Sequence, residues 1–369
     1  MNHPVVSIII PIYNAAAHLF ECIASARSQT LAEIELLCVD DGSTDSSLEL
    51  LHALANEEPR IRIFRQPNSG AGAARNLALS EARGKYISFL DADDRYASDT
   101  CLRELYDAAR RMGASICGGF RQILNPNGTV TLHSLFRRDL KRKPQGVKIA
   151  YKDFQYDYHY QNFLFQQELL KRHQITFPLY RRFQDPPFLI RAMIAAKEFA
   201  VVPVEVYLYR RSERPVVWDA EKVGGLIKGL TDDLNLSRQA NLPKLHALTV
   251  RRIEQDFYEA ITGCLDLPEI YDLCIEANAS VNVALLKGQR STRGDFLLLP
   301  LQACLQKSGS SSNSAPRSFR SSGDRFRAAH GFIQCIHDHG IGYTIRRGIE
   351  HLGIPMNAEL SRSKSTKKK

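Results

Sequence analysis

Apolar and polar positions alternate regularly along the first 120 residues. Four segments are predicted to be strands, and the first of them is a near-continuous apolar run, typical of a parallel strand buried on both faces. The four segments are Val5–Ile10, Ile34–Val39, Arg60–Phe64 and Lys85–Leu90. Leucine, isoleucine and alanine at helical spacing occupy the intervals between them. The alternation predicts an α/β fold with an open, mostly parallel sheet and helices on both faces.

Beyond residue 120 the pattern is less regular and then mainly helical. A turn signal at 125–128 predicts a hairpin, and Phe199–Val202 and Val206–Tyr209 are predicted to be two short strands. We predict an α/β domain with two halves, a helical C-terminal region, a serine-rich flexible linker, a helical segment and a basic tail. The α/β domain spans 1–215, with halves 1–120 and 121–215, and the helical C-terminal region spans 216–306. The linker spans 307–323, the helical segment 324–352 and the basic tail 353–369.

Composition is that of a soluble globular protein. Of the 369 residues, 44% are hydrophobic and 24% are charged. No apolar run approaches the ~18–20 residues of a membrane span, and no signal peptide is evident, so we expect a cytoplasmic protein. The eight cysteines are scattered without a C-x-x-C pair, which argues against disulfide and zinc frameworks.

Charge adds one open question. The net charge is +9, of which the last nine residues supply five positive charges and no negative one. The remaining +4 gives no reason to expect nucleic-acid binding. The tail is either a solvated end or a peripheral contact with the anionic inner face of a membrane.

Polar, turn-forming segments follow the four predicted strands. They are Pro11–Asn14, Asp40–Asp45, Asn68–Asn76 and Asp91–Asp94. An open parallel sheet binds its ligands beyond the carboxyl ends of its strands. The sequence therefore predicts that these four segments line one crevice.

The acidic segment predicts a metal–diphosphate site. Asp91, Asp93 and Asp94 follow an apolar strand, and close carboxylates destabilise one another unless a positive charge neutralises them. Mg²⁺ or Mn²⁺ takes carboxylate oxygens and completes its shell with phosphates. A simple polar turn that caps the next helix is the alternative.

The four segments resemble the family 2 glycosyltransferases in order and spacing. The resemblance is strong over about residues 4–115, fainter over 160–212 and absent beyond about 215. It implies the GT-A fold and transfer of a sugar from a nucleotide sugar, most often a UDP-sugar, usually with inversion. The acceptor would be a saccharide or lipid-linked saccharide in surface polysaccharide biosynthesis.

The resemblance also implies residue roles. It assigns Asp93 to the metal, and it assigns nucleotide-sugar binding to seven residues. These seven are Pro11, Tyr13, Asn14, Asp41, Arg75, Asp91 and Ala92. Structural alternatives remain: Tyr13 as a packed aromatic, Asp41 as a turn residue, and Arg75 paired with Glu81 or a sheet carboxylate.

Asp185 is the candidate base that deprotonates the acceptor hydroxyl. The family usually has Glu-Asp here, whereas this chain has Gln184-Asp185. Because Pro186 follows, Asp185 could instead be a helix N-cap. A helix N-terminus would favour its ionised form and make it a weaker base.

Three other functions deserve comparison. A dinucleotide-dependent oxidoreductase would show G-x-G-x-x-G after the first strand, and a nucleotidyltransferase would show a glycine-rich basic loop there; neither is present. A catalytically degenerate transferase that acts as a scaffold subunit stays open because of Gln184. The aromatic-rich segment Tyr151–Phe165 is either core or an acceptor surface.

Overall fold

The structure is a computed structural model that describes residues 3–133, 135–212, 216–286 and 297–310, with side chains to residue 304. Two compact units divide the chain, Met1–Thr249 and Val250–Lys369. The first unit therefore extends past residue 215, the predicted end of the α/β domain.

A ten-stranded sheet organises the described part of the first unit. Its strands are β1 Val6–Ile12, β2 Ile34–Asp40, β3 Ile61–Arg65, β4 Tyr86–Phe89, β5 Arg95–Tyr96, β6 Ile116–Leu124, β7 Val130–His133, β8 Val147–Ala150, β9 Phe163–Gln166 and β10 Glu198–Arg210. The order is β3-β2-β1-β4-β9-β6-β10-β5, with β7 beside β6 and β8 beside β10. The first four strands are parallel, and β9 is antiparallel to both of its neighbours.

Helices cover both faces of this sheet. They are α1 Leu19–Arg27, α2 Ser47–Glu57, α3 Ala71–Glu81, α4 Cys101–Met112, α5 Tyr151–Phe154, α6 Gln167–Arg172, α7 Asp185–Ala196, α8 Ala220–Gln239 and α9 Pro243–Arg251, the last of which crosses the unit boundary. Alternate residues of β1 enter two separate cores: Ile8 and Ile10 pack with α1 and α4, and Ile9 packs with α3 and α7. The predicted α/β architecture is confirmed.

Of two local predictions, the hairpin after β6 is confirmed and the pair of short strands near residue 203 is not. The turn at 125–128 does join β6 to β7 as a hairpin. The two short strands predicted in 199–209 were wrong, because they form the single strand β10. Register shifts interrupt its pairing with β6 between Val201 and Tyr207, around Pro203. Proline lacks the N–H that a ladder needs and is tolerated in a strand at such irregularities.

The second unit is helical where it is described. A π-helical turn at Arg252–Asp256 precedes α10 Tyr258–Thr262, α11 Pro268–Ser280 and α12 Leu299–Ser310. Helix α12 includes residues 307–310, which the sequence assigned to the flexible linker. The rest of that linker, the helical segment 324–352 and the tail 353–369 lie outside the described residues. Within the described chain, no helix has the length and apolar character needed to cross a membrane.

Candidate active site

Four loops meet at the carboxyl edge of β1–β4, where they surround a cavity of about 1030 Å³ that we call the edge cavity. Eight of the nine predicted site residues line it. They are Pro11, Tyr13, Asn14, Asp41, Arg75, Asp91, Ala92 and Asp93. Tyr13 is 49% exposed, so the alternative that it is a packed aromatic was wrong. The structure thus brings these residues together, while their binding roles stay predictions.

A buried ion pair forms the inner wall of the edge cavity. Arg75 Nη2 lies 2.7 Å from Asp91 Oδ1, and the Arg75 side chain is only 7% exposed. Arg75 does not pair with Glu81, which binds Arg62 instead. Burial alone would lower the pKa of Arg75, but Tyr160 and Asp91 raise it above its ordinary value. Arg75 Nε and Nη1 are buried without a hydrogen-bond partner, and the guanidinium lies 5.3 Å from the ring centres of Tyr160 and Phe177.

Asp91 is held ionised. Burial tends to raise its pKa, but Arg75, a hydrogen bond from Gln161 Nε2 (2.9 Å) and the Tyr160 hydroxyl together lower it. Tyr207 OH accepts a hydrogen bond from the Asp91 backbone N–H. The carboxylate therefore has a fixed orientation before any ligand arrives.

Asp93 is the exposed member of the acidic cluster. Arg210 pairs with Glu21 (2.8 Å) and donates a hydrogen bond to the backbone carbonyl of Asp93, but it makes no ion pair with the Asp93 carboxylate. Loss of solvent and the charge of Asp91 raise the pKa of Asp93, and the positive charges of His18 and Arg210 only partly oppose this. A carboxylate without an ion-pair partner among the described residues suits a cation.

The acidic loop offers one protein ligand, Asp93, to a divalent metal. Within the part of the chain that the structure describes, no group of three or more histidine, cysteine or acidic side chains is arranged to hold a metal ion. Mg²⁺ in nucleotide sites, however, usually takes one or two carboxylates and completes its shell with substrate phosphates and water. Asp93 alone can supply that protein share.

Asp94 links the acidic loop to β10. Its Oδ2 accepts a hydrogen bond from Tyr207 OH (2.7 Å) and its Oδ1 accepts one from Arg210 N (2.6 Å), both on β10. Burial and the charges of Asp91 and Asp93 raise its pKa to about 8. Asp94 therefore anchors β10 to the acidic loop.

Asp41 and Asn14 brace loops as well as lining the cavity. Asp41 is buried, and its carboxylate accepts hydrogen bonds from Gln66 Nε2 and from the backbone N–H groups of Ser69 and Gly70. Asn14 Oδ1 accepts from Thr44 N at 2.8 Å. Part of the hydrogen-bonding capacity of both side chains is thus used within the protein.

Asp185 is the first residue of α7 and is not one of the residues that line the edge cavity. Gln184 occupies the N-cap position and no side chain caps the helix, so the N-cap interpretation of Asp185 was wrong. Burial raises the pKa of Asp185 and Asp91 adds to that, while Arg75 opposes it. The expectation of a weakened base was therefore also wrong, because desolvation outweighs the helix terminus.

The aromatic segment Tyr151–Phe165 contributes several side chains to the core. The core contains Tyr151, Phe163 and Phe165, and Tyr160 is also buried but hydrogen-bonds Asp91. Most of the segment is therefore core.

Sequence reasoning missed several polar residues that contact Asp91 or line the cavity. They are His18, Gln161, Arg181, Arg210, Arg211 and Tyr207. They come from distant segments and carry no shared motif.

Comparison with known proteins gives a consistent picture. Residues 7–174 match the model for Glycosyl transferase family 2. The uncharacterized glycosyltransferase EpsJ of Bacillus subtilis is 33% identical over 57% of this chain, and the chain spans 62% of its length. A poly(ribitol-phosphate) beta-glucosyltransferase of Bacillus spizizenii is 34% identical over 55% of this chain, but the match covers 32% of that protein.

A solved structure shares the fold. S. aureus TarS 1–349, determined in complex with UDP-GlcNAc, matches 76% of this chain and 82% of its own length with a TM-score of 0.61. The two sequences are 20% identical, so the likeness shows the fold. It agrees with the GT-A architecture that the sequence predicts.

Proposed function

We propose that this protein, whose residues 7–174 match the model for Glycosyl transferase family 2, transfers a sugar from a nucleotide sugar to a saccharide acceptor. The acceptor is free or lipid-linked. The edge cavity is the donor site. UDP is the proposed nucleotide, because it is the commonest in this family and because TarS was crystallised with UDP-GlcNAc.

One observation supports this proposal most strongly. The four strand-end loops surround a single cavity whose inner wall is the Arg75–Asp91 pair. Its volume is near the top of the range for small-molecule sites, large enough for a nucleotide sugar. Exposed Tyr13 offers a face for the base.

The leaving group of the reaction is a nucleoside diphosphate, whose negative charge grows as the sugar departs. Asp93 would hold Mg²⁺ or Mn²⁺, which stabilises that charge as a Lewis acid. Asp91, fixed by Arg75 and Gln161, would orient the sugar or ribose. These two carboxylates therefore have separate roles in the same loop.

Asp185 would take the proton from the acceptor hydroxyl. Its raised pKa makes it a stronger base than an ordinary aspartate, and ionised Asp91 and Arg75 lie close enough to influence it. A general base of this kind contributes typically ~10²–10⁴-fold to a rate. With a single base and direct attack, the configuration at the sugar carbon would invert.

The products of the similar proteins favour a polymer as the acceptor. One relative's name specifies a poly(ribitol-phosphate) chain, and two relatives from Pasteurella multocida, each 44% identical over 104 residues, are a chondroitin and a hyaluronan synthase. We therefore propose surface polysaccharide biosynthesis as the process.

Release of nucleoside diphosphate from UDP-, GDP- and dTDP-sugars, with and without Mn²⁺, tests the proposal. We expect slow metal-stimulated hydrolysis of at least one donor. No turnover of any donor, together with tight binding to a protein partner, would instead support a degenerate scaffold subunit, which Gln184 leaves as the alternative.

A further inference from the structure

Arg121 on β6 is a buried cation without a carboxylate partner. Its exposure is 7%, and no ion pair joins it to an acidic side chain among the described residues. Its guanidinium lies 4.0 Å above the ring centre of Tyr209, and Nη1 contacts His159 Nδ1. Nε is fully buried and has no hydrogen-bond partner.

This arrangement is energetically unfavourable in the absence of a ligand. Arginine is almost never fully buried unless it is paired, because removing a charge from water is costly. A bound anion would supply the missing counter-charge and accept a hydrogen bond from the guanidinium. The guanidinium fork suits phosphate and carboxylate oxygens in particular.

The surroundings of Arg121 connect it to the candidate base. His159 precedes Tyr160, which hydrogen-bonds Asp91. The neighbouring Tyr158 ring lies 6.0 Å from the ring of Phe183, two residues before Asp185. Arg121 therefore belongs to the side of the site where Asp185 lies, and it is not among the residues that line the edge cavity.

Backbone conformation supports a functional role for these neighbours. His159 (φ 68°) and Phe183 (φ 65°) both adopt the left-handed region, which non-glycine residues rarely occupy. Such conformations cost about 1–3 kcal/mol each and cluster at ligand and active sites. One of the two, His159, directly contacts the buried arginine.

We propose that Arg121 and His159 form an anion subsite that binds a phosphate or carboxylate group of the acceptor, next to the hydroxyl that Asp185 deprotonates. This proposal rests on the proposed function and narrows it to negatively charged acceptors. Tyr158 and Tyr209 provide apolar ring surface beside the anion. The anion at Arg121 is not the diphosphate of the donor, because Arg121 does not line the edge cavity. The arginines that line that cavity are Arg75, Arg181, Arg210 and Arg211.

The test is calorimetric titration of the full chain with inorganic phosphate while saturating UDP occupies the edge cavity. We expect saturable phosphate binding to the wild-type protein. Arg121→Met should weaken it at least ~10-fold, as expected for a lost hydrogen bond to a charged group. Arg110→Met is the matched control, since Arg110 also lies over a tyrosine ring but on α4, and its variant should bind phosphate normally.

Thermal unfolding separates this role from a structural one. Without phosphate, Arg121→Met should be at least as stable as the wild type, because an unpaired buried charge has been removed. His159→Asn, which tolerates the left-handed backbone, is a second variant and should also weaken phosphate binding. If Arg121→Met binds phosphate like the wild type, or phosphate does not bind at all, the subsite is refuted.

Competition identifies the source of the anion. Glycerol 1-phosphate should displace phosphate if the acceptor is a polyol phosphate, and glucuronate should displace it if the acceptor is an acidic sugar. Displacement by neither compound would overturn the assignment to the acceptor. The same titrations report UDP binding, so a protein that binds UDP but not phosphate refutes the subsite alone, whereas one that does not bind UDP contradicts the proposed function.

Discussion

The proposed donor side and the proposed acceptor side of this site are assembled in different ways. The edge cavity takes most of its wall from loops that directly follow β1, β2, β3 and β4. The acceptor side combines Arg121 on β6, His159, the start of α7 and Tyr209 on β10, which are separated by up to 88 positions in the chain. Local segments with a recognisable pattern thus form one half, and tertiary packing of dispersed residues forms the other.

The difference also appears in the charges. On the donor side, Arg75 and Asp91 neutralise each other, and Asp93 makes no ion pair with a described residue. On the acceptor side, Arg121 also makes no ion pair with a described residue, and its Nε has no hydrogen-bond partner. The charges of Asp93 and Arg121 each indicate the kind of ligand that would complete them.

Asp93→Ala should have the largest effect, on the donor side. We expect metal-dependent turnover to fall by at least ~10³-fold, because a metal at the leaving group contributes several kcal/mol. Stability should change by less than about 1 kcal/mol, since Asp93 is exposed. Kinetics with Mn²⁺ and urea unfolding provide the two readouts.

Asp107→Ala, an exposed aspartate on α4, is the control for that experiment and should retain full activity. Unchanged turnover in Asp93→Ala would show that Asp93 does not hold the metal. It would also contradict the separate roles proposed for Asp91 and Asp93.

Asp185→Asn should have the next largest effect, and on the acceptor side alone. Turnover should fall at least ~10²-fold while the affinity for UDP is unchanged. Because burial raises the pKa of Asp185, and the base must be ionised, wild-type turnover should fall as the pH drops through a pKa above the ordinary value of 3.8. Rate–pH profiles measure this acidic limb.

That limb should be absent from the residual activity of Asp185→Asn. Loss of UDP affinity together with loss of folding would show instead that Asp185 is a structural residue at the start of α7.

Arg75→Met should lower stability by about 2–4 kcal/mol and weaken UDP binding, because it leaves Asp91 as a partly buried charge without its partner. The Asp91 side chain retains 22% exposure, which places the loss toward the lower end. Arg62→Met is the control. Arg62 forms an ion pair with Glu35 (2.9 Å), and neither residue lines the edge cavity. It should lose stability without losing UDP affinity, and equal UDP affinities in the two variants would argue against a donor role for Arg75.

Arg181→Gln should have the smallest effect, although Arg181 bridges the two sides. Its Nη1 donates to Asn68 Oδ1 at 2.8 Å, on the exposed rim of the edge cavity. Exposed contacts of this kind contribute about 0–1 kcal/mol, so UDP affinity should fall less than about tenfold. Arg172→Gln, which removes the surface pair with Glu168, gives the baseline. A larger loss would mean that the rim orders the donor.

The comparison explains what the sequence could predict. The apolar pattern predicted β1–β4, and the segments that follow these strands include eight predicted site residues that line one cavity. The bonds of Asp41 and Asn14 to neighbouring loops could not be inferred, because a polar residue after a strand suits a ligand and a turn equally well. The roles of Asp94, Gln161 and Arg121 depend on partners 38 to 113 residues away. No local pattern specifies such partners.

The most direct test of the central claim, that the strand-end loops form a nucleotide site, is calorimetric titration of the wild-type chain with UDP in the presence and absence of Mn²⁺. We predict saturable binding of one UDP per chain that strengthens with Mn²⁺, and no such strengthening in Asp93→Ala. Absence of saturable binding for UDP, GDP and dTDP alike would contradict the account.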